Sequence, residues 1–221
     1  MRRKDEGIGM TDETAAEPAT RAGKKAARRE AILEAALDEF CERGFAAARV
    51  EDVARRAAVA KGTIYLSFKD KQALFQELIR SKLGEHVLRL ETARPQPGQA
   101  MRGAVEPILR ALVEELQAAR IGDLLRLVIA ESGRFPELAE FYYREVIERA
   151  MNAIARLARE ARATGELASD ALVRFPQLIG APVAVTFLWG TLFERFAPLD
   201  RSALLGAYLD LVFGSVTENP P

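Results

Sequence analysis

The stretch KGTIYLSF, residues 61–68, carries polar groups and apolar anchors at different spacings. Ile64 and Phe68 are four residues apart and would share one side of a helix, whereas Thr63 and Ser67 share another. The apolar pair can therefore hold the helix on a core while the hydroxyl and ammonium groups stay free. Such groups on an exposed helix can bind the phosphates and base edges of a nucleic acid duplex.

The segment VEDVARRAAVA, residues 50–60, predicts a short amphipathic helix and a tight turn in front of that stretch. Farther upstream, apolar residues repeat at helical spacing from Ile32 to Phe40, and Gly44 is expected to end that helix. Three helices of this kind can close a small core. A turn of three or four residues between the last two is the arrangement that lays side chains into the major groove of DNA.

From about Arg28 to Leu78 the pattern resembles the DNA-binding domain of the TetR-type (TetR/AcrR) transcriptional regulators. The segments that carry the resemblance are REAILEAALDEFCERGF and VEDVARRAAVAKGTIYLSFKDKQALFQEL. The resemblance implies an all-α protein. It would have an amino-terminal three-helix helix-turn-helix domain and a larger helical domain for ligand sensing and dimerisation.

The resemblance also indicates which side chains meet double-stranded DNA. Tyr65 and Lys71 are the candidates for phosphate contacts, and Lys61 and Thr63 are the candidates for base edges. A glycine near the helix start would let protein backbone approach DNA closely. The full set of predicted DNA-binding residues is Lys61, Gly62, Thr63, Tyr65, Ser67, Lys71 and Arg28.

A basic segment precedes the domain. It contains Arg21, Lys24, Lys25, Arg28 and Arg29, and it can serve as an arm or a first helical turn near the minor groove or the DNA backbone. The alternative is a solvated tail without a partner. The adjoining helix-turn-helix favours DNA contact.

Two positions depart from the family pattern. Ala58 stands in the turn where glycine is usual, and a positive φ there would cost an alanine about 1 kcal/mol. Ala60 replaces the usual serine or threonine, so the side-chain cap of the next helix is lost at a cost of about 1 kcal/mol. Both changes affect the stability of the turn and remove no DNA-contacting group.

The distribution of charge supports DNA binding. The 221 residues carry 32 Lys and Arg against 32 Asp and Glu, so the formal net charge is zero. Residues 21–82, however, hold 14 basic and 9 acidic residues, whereas residues 83–221 hold 15 and 18. A basic front and a mildly acidic rear are typical of a protein that binds nucleic acid with one part of its surface.

The sequence offers little for catalysis or cofactors. His86 is the single histidine, and no metal-spaced Cys or His cluster, phosphate-binding glycine loop or nucleophile elbow is present. We therefore expect no enzyme activity, no metal and no cofactor. The single cysteine, Cys41, is expected to be a thiol packed within the first helix.

Composition and periodicity predict helices throughout. Residues 1–20 are expected to be a disordered tail, residues 21–82 the DNA-binding domain with its helix-turn-helix at about 49–68, and residues 83–221 the ligand-binding and dimerisation domain. The loop ARPQPG, residues 93–98, follows the linking helix. The predicted helices are 28–43, 50–57, 61–67, 71–90, 99–119, 123–132, 136–163, 170–194 and 201–215.

The uncharged run at residues 175–193 approaches the length of a membrane span. Its two prolines, two glycines, Gln177 and Thr186 favour a helix buried between its own domain and a partner subunit instead. Residues 1–20 lack the apolar core of a signal peptide. We therefore expect a cytoplasmic protein with no membrane contact.

In the TetR-type family the rear half binds a small-molecule effector. Aromatic and methionine side chains suit a pocket for an apolar or aromatic molecule, although they also serve as ordinary core residues. The candidates for the pocket are Phe141, Tyr142, Met151, Phe175 and Trp189.

The last helix, LLGAYLDLVFGSV, carries more apolar surface than a solvent-exposed terminus needs. Together with the helix ending in FLWGTLF it would form half of a four-helix dimer interface. The candidate interface residues are Phe187, Thr191, Leu204, Tyr208, Leu211 and Val212. In a homodimer, two recognition helices about 34 Å apart match a palindromic operator.

These observations predict a sequence-specific DNA-binding transcriptional regulator, a repressor that its effector releases from the operator. The alternative is a helical protein-interaction module that does not bind an operator, in which the basic segment and KGTIYLSF would be incidental.

Overall fold

The computed structural model describes residues 21–95, 101–118 and 120–214, and the regular secondary structure within these ranges is helical, without a strand. This confirms the predicted all-α fold. The expected tail at 1–20 and residues 96–98 of the expected 93–98 loop lie outside the described residues. The helices are α1 (Arg21–Ala47), α2 (Val50–Arg56), α3 (Lys61–Tyr65), α4 (Lys71–Thr92), α5 (Met101–Ala118), α6 (Ile121–Glu131), α7 (Pro136–Tyr142), a π-helical segment (Tyr143–Glu148), α8 (Arg149–Ala163), α9 (Ala171–Arg174), α10 (Gln177–Leu192) and α11 (Arg201–Phe213).

Helix α1 is interrupted near its end by Gly44, which has φ 73° and ψ 161°. The sequence predicted this stop, because a positive φ suits glycine far better than other residues. Phe45 can therefore fold back, and its ring lies 5.5 Å from that of Phe40 and 5.7 Å from that of Phe75. Cys41 is exposed, so its predicted packing role is wrong.

The turn between α2 and α3 has the strain that the sequence predicted. Ala58 adopts φ 52°, in the left-handed region that costs an alanine about 1 kcal/mol. Ala60 precedes α3 and gives it no side-chain cap. Burial of Ile64, 1 % exposed, and Phe68, 5 % exposed, holds α3 in place instead. Each such burial contributes about 1.5–3 kcal/mol.

Helix α4 joins the front and rear parts of the molecule. The Asp70 side chain caps its start by accepting a hydrogen bond from the Ala73 amide at 2.8 Å. The helix then runs without a break through the division predicted between residues 82 and 83. One buried cluster packs residues of α1–α4 together with residues of α5, α6, α7 and the π-helical segment, so the core is continuous across that division.

Two predicted helices of the rear part differ from the structure. The expected helix at 136–163 contains the π-helical segment, and the expected helix at 170–194 breaks at Phe175 and Pro176 into α9 and α10. Pro182 inside α10 cannot donate to the Leu178 carbonyl one turn back. The hydroxyl of Tyr208 in α11 donates to that carbonyl instead.

None of the helices in the described ranges combines the length and apolar character that crossing a membrane requires. Helix α10, which contains most of the uncharged run, has 16 residues.

Candidate nucleic-acid interface and apolar cavity

Helix α3 and the residues directly after it present a polar face with one large apolar side chain. The side chains of Ile64 and Phe68 turn inward, as their spacing predicted. Tyr65 is 45 % exposed and Leu66 is 89 % exposed. The other exposed or half-buried residues of this face are Lys61, Gly62, Thr63 and Ser67.

A groove of about 510 Å³ separates this face from the first turns of α1. Lys24, Lys25 and Arg28 line one side and have no ion-pair partner within the described part of the chain. Thr63 and Ser67 line the other side. The groove therefore combines unpaired cations with hydroxyl groups, which is the composition that phosphate contacts require. The structure brings together three of the predicted DNA-binding residues here.

Arg29, the last cation of the basic segment, already has a partner. Arg29 forms an ion pair with Glu77 at 2.6 Å, and its guanidinium lies 4.9 Å from the centre of the Phe68 ring. Arg29 therefore helps to hold α1 against α4 and the end of the helix-turn-helix. The side chain of Arg21 lies outside the described residues.

Lys61 has a partner within its own domain. Its ammonium lies 2.5 Å from a carboxylate oxygen of Glu51 and 5.6 Å from the centre of the Tyr65 ring. The hydrogen bond to Glu51 raises the pKa of Lys61 and keeps it charged. The pair is exposed, so exchanging this carboxylate for a DNA phosphate costs little.

The structure corrects the prediction for Lys71. Its ammonium donates hydrogen bonds to the carbonyl oxygens of Phe45 at 2.6 Å and Ala46 at 2.9 Å, and it lies 4.7 Å from the centre of the Phe45 ring. Burial lowers the pKa of Lys71. The side chain thus satisfies the carbonyl groups at the end of α1, and it is not free to reach a phosphate.

The sequence interpretation did not include Leu66. Its side chain lies in the groove beside Thr63 and Ser67 and is almost fully exposed. The sequence did contain a signal for this exposed position. Leu66 is apolar, but on a helix it does not lie on the side that carries Ile64 and Phe68. An apolar group at a DNA-facing position can contact the methyl group of thymine.

The described residues contain no group of three or more His, Cys, Asp and Glu side chains that could hold a metal ion. His86 is buried in α4, and its Nε2 lies 2.9 Å from a carboxylate oxygen of Glu115. This geometry connects α4 to α5 and assembles no catalytic set.

A second candidate site is an apolar cavity of about 330 Å³ in the rear part. Residues from α4, α5, α6, the end of α7, the π-helical segment, α8 and α10 line it. Tyr142 and Met151 are among them, as predicted, and so is Phe187. Burial raises the pKa of Tyr142 to about 12. The volume is within the range of small-molecule sites.

Three other pocket candidates lie outside the cavity. Phe141 packs against the Arg80 guanidinium at 4.9 Å, and Phe175 is 52 % exposed at the break between α9 and α10. Trp189 donates its indole hydrogen to the Ala197 carbonyl at 2.7 Å. None of these three residues lines the cavity, so Tyr142 and Met151 are the predicted pocket residues that the structure places there.

Helix α6 connects the cavity to the DNA-binding part. At its start Arg120 donates hydrogen bonds to Asp38 of α1 at 2.6 Å and to Asp123 at 2.8 Å. At its end a carboxylate oxygen of Glu131 accepts a hydrogen bond from the Phe45 amide at 3.0 Å. Leu125 and Val128, between these links, face the cavity. A change in the cavity wall can therefore reach α1 through one helix.

An apolar stripe, Leu178, Val185, Leu188 and Leu192, is exposed along α10, and Leu211 of α11 is also exposed. None of the six predicted interface residues is one of the four residues of this stripe. Phe187 faces the cavity and Val212 packs against the rear core. Tyr208 is tied to α10 and Leu204 is half-buried, whereas Thr191 is exposed and donates to the Phe187 carbonyl at 2.8 Å. Of the predicted set, Thr191 and Leu211 are exposed.

Comparison with known proteins gives a consistent result. Residues 32–78 match the family model for bacterial regulatory proteins of the tetR family, and residues 95–204 match the model for the tetracyclin repressor-like C-terminal domain. Together the two matches span most of the chain and both of its predicted domains.

The fatty acid metabolism regulator protein of Bacillus subtilis is 38 % identical over 60 residues, which is 27 % of this chain and 31 % of that protein. The transcriptional repressor KstR2 of Mycolicibacterium smegmatis is 25 % identical over 219 residues, covering 95 % of this chain and 97 % of the repressor. The solved structure of the flavonoid-responsive regulator FrrA is 26 % identical, covers 84 % of this chain and 95 % of its own, and has a TM-score of 0.62.

The helix-turn-helix geometry, the basic groove and the two family matches lead to one conclusion. The chain belongs to the TetR family of bacterial regulatory proteins, and it is a DNA-binding transcriptional regulator rather than an enzyme, with repression the activity that its relatives support.

Proposed function

We propose that the protein is a homodimeric repressor that binds a palindromic operator and releases it when a small apolar or aromatic molecule occupies the cavity. The observation that carries this proposal is the position of α6. This one helix forms a wall of the cavity and is hydrogen-bonded to α1 near both of its ends.

The DNA-binding surface of the proposal consists of the α3 face and the basic side of the groove. Unpaired cations on α1 supply affinity by displacing counterions from DNA, and the α3 side chains supply sequence preference. The proposed contact residues are Arg28, Lys61, Gly62, Thr63, Tyr65 and Ser67, with Leu66 added and Lys71 removed.

The occupant proposed for the exposed stripe of α10 is a second copy of the chain. The stripe runs along one helix and contains no charged residue, and Leu211 of the neighbouring helix α11 is exposed as well. A contiguous apolar surface of this kind is typical of interfaces between subunits. A two-fold dimer would present two α3 helices to successive major grooves on one side of the operator.

The dimer is tested by replacing Leu188 with Glu and measuring the mass of the full chain by sedimentation. We expect the variant to sediment as a monomer and to lose operator affinity. The matched control is Leu88→Glu, since Leu88 is an equally exposed leucine on α4, away from the stripe. A Leu188→Glu variant that remains dimeric would place the subunit interface elsewhere.

Release requires that the effector bind the form without DNA more tightly than the DNA-bound form. A difference of about 1–3 kcal/mol, or 5- to 150-fold, is the usual size of such coupling. Here the coupling would act through α6, because a molecule against Leu125 and Val128 biases the position of the helix that holds α1. The spacing of the two α3 helices would then change.

The experiment uses the full chain and a labelled operator recovered by selection from random DNA. Fluorescence anisotropy is followed while a flavonoid such as naringenin is added, a probe suggested by the responsiveness of FrrA. We expect Tyr65→Ala to weaken operator binding. We expect Glu131→Ala, which removes the acceptor of the Phe45 amide, to retain operator binding while reducing release. Glu137→Ala, at an exposed acid on α7, is the control for Glu131→Ala.

Operator affinity that no cavity-binding molecule changes would refute the release half of the proposal. Failure of the wild-type chain to select any DNA sequence would refute the operator half.

A further inference from the structure

The residues that line the cavity share one chemical property: none of them is charged. All are aliphatic, aromatic, glycine or methionine, and the hydroxyl of Tyr142 is the one strong hydrogen-bonding side-chain group among them. A small polar pocket nearby shares Leu116 and Phe187 with the cavity, but its two arginines, Arg126 and Arg201, are not among the residues that line the cavity. The cavity therefore offers no ion partner to a bound molecule.

The hydroxyl of Tyr142 has no hydrogen-bond partner within the described ranges, although the ring is largely surrounded by protein. Burial holds its pKa at about 12, so the group remains a neutral phenol and keeps its proton at physiological pH. Tyr142 lines an otherwise apolar cavity and its hydroxyl has no protein partner among the described residues, so this group can donate its hydrogen to an acceptor atom of a ligand.

The backbone directly after Tyr142 is π-helical where it forms part of the cavity wall. The π-helical segment begins directly after Tyr142, and two of its residues, Val146 and Ile147, line the cavity. Ala150 and Met151 of α8 continue the same wall. π-Helical turns inside longer helices are frequent at functional sites, because they shift the side-chain positions along one face.

From these observations we infer that the effector is a neutral molecule, apolar over most of its surface, which accepts one hydrogen bond from the Tyr142 hydroxyl. This inference rests on the proposed function for the role of the cavity and adds the ligand class and the residue that selects it. An ionised carboxylate or amine would enter without a counter-charge and would lose its hydration, which disfavours it by a large factor.

The test compares three naphthalene probes of similar shape by calorimetry on the full chain without DNA. They are 2-acetylnaphthalene, which is a neutral acceptor; 2-ethylnaphthalene, which has no acceptor; and 2-naphthoate, which is an anion at neutral pH. For the wild-type chain we expect the acetyl probe to bind roughly 3- to 10-fold more tightly than the ethyl probe, the usual gain from one neutral hydrogen bond. The naphthoate should bind at least about tenfold more weakly than the acetyl probe.

The variant Tyr142→Phe removes the hydroxyl and keeps the ring. We expect it to abolish the preference for the acetyl probe while leaving the affinity for the ethyl probe unchanged, which also shows that the cavity is intact. The matched control is Tyr143→Phe, since Tyr143 is the next residue, is exposed, and lies outside the cavity. This control should keep the wild-type preference.

Three results would overturn the inference: naphthoate that binds as tightly as the acetyl probe, a preference for the acetyl probe that survives Tyr142→Phe, or no binding of any neutral probe. Because the probes are measured without DNA, these outcomes are distinct from a failure of the proposed release mechanism. Probe binding that leaves operator affinity unchanged would count against release and in favour of this ligand class.

Discussion

Replacing Gly62 with alanine should change protein stability and operator affinity in opposite directions. Gly62 is the second residue of α3, and a Cβ atom built there meets no atom within 4 Å. The fold therefore has room for a methyl group. Alanine is favoured over glycine in a helix by up to about 1 kcal/mol, partly because it reduces the freedom of the unfolded chain. For a chain of this length that gain raises Tm by about 2–4 °C.

The same methyl group would stand on the surface that faces DNA. If backbone and phosphate are in close contact there, an added methyl overpacks the interface at a cost of about 1–3 kcal/mol. This corresponds to roughly 5- to 150-fold weaker operator binding for each contact. The variant should therefore be more stable than the wild-type chain and bind DNA less tightly.

Thermal unfolding and anisotropy with the selected operator measure the two effects. Gly84→Ala in α4 is the matched control, because its added Cβ also meets no atom and lies far along the chain from α3. It should raise Tm and leave operator affinity unchanged. Wild-type operator affinity in Gly62→Ala would refute a close backbone approach at this position, and a lowered Tm would show that the fold itself requires the glycine.

Three further variants test particular contacts. Lys71→Met removes hydrogen bonds to the end of α1, including the one to the Phe45 carbonyl, so it should lower the free energy of unfolding by about 1–3 kcal/mol in urea titrations. It should leave the dependence of operator affinity on salt unchanged, since no phosphate contact is lost. Arg149 donates two hydrogen bonds to Glu91 and lowers the pKa of the Glu91 carboxyl group in the folded protein. The ion pair therefore stabilises the fold fully at pH values above the pKa of Glu91 in the unfolded chain. This stabilisation disappears as the pH falls through the lower pKa of the folded state. Glu91→Gln should therefore destabilise the chain by no more than about 1 kcal/mol at pH 7 and have no effect in strong acid, as measured by urea unfolding at both pH values. Leu66→Ala should weaken operator binding roughly fourfold, since one lost apolar contact costs about 0.8 kcal/mol. Replacing the contacted thymine by uracil should remove the difference in affinity between the variant and the wild type. An equal difference on both DNAs would argue against a methyl contact.

The spacing of residues around α3 was sufficient to predict which side of this helix is buried and which is exposed. Ile64 and Phe68 had to be buried because they are the apolar residues one turn apart, and this placed Tyr65 and Ser67 outside. The positive φ at Gly44 and the uncapped start of α3 followed from residue type alone. These are local properties, so the chain near each residue contains the information that decides them.

The role of Lys71 could not be predicted in the same way. Its partners are carbonyl groups that end a different helix, 25 and 26 residues earlier in the chain. A lysine after a helix-turn-helix suits a phosphate equally well in the sequence. Only the position of α4 against the end of α1 decides between the two.

The sequence by itself determined the helical class, the helix-turn-helix and the residues that face outward from it, because hydrophobic spacing fixes which side of each short helix is buried. The tertiary structure decided which aromatic residues form the cavity. Phe141 and Tyr142 are adjacent in sequence and similar in chemistry, yet only Tyr142 reaches the cavity. The physical reason is that a cavity wall depends on the rotation and packing of several helices at once, and no local pattern records how distant helices meet.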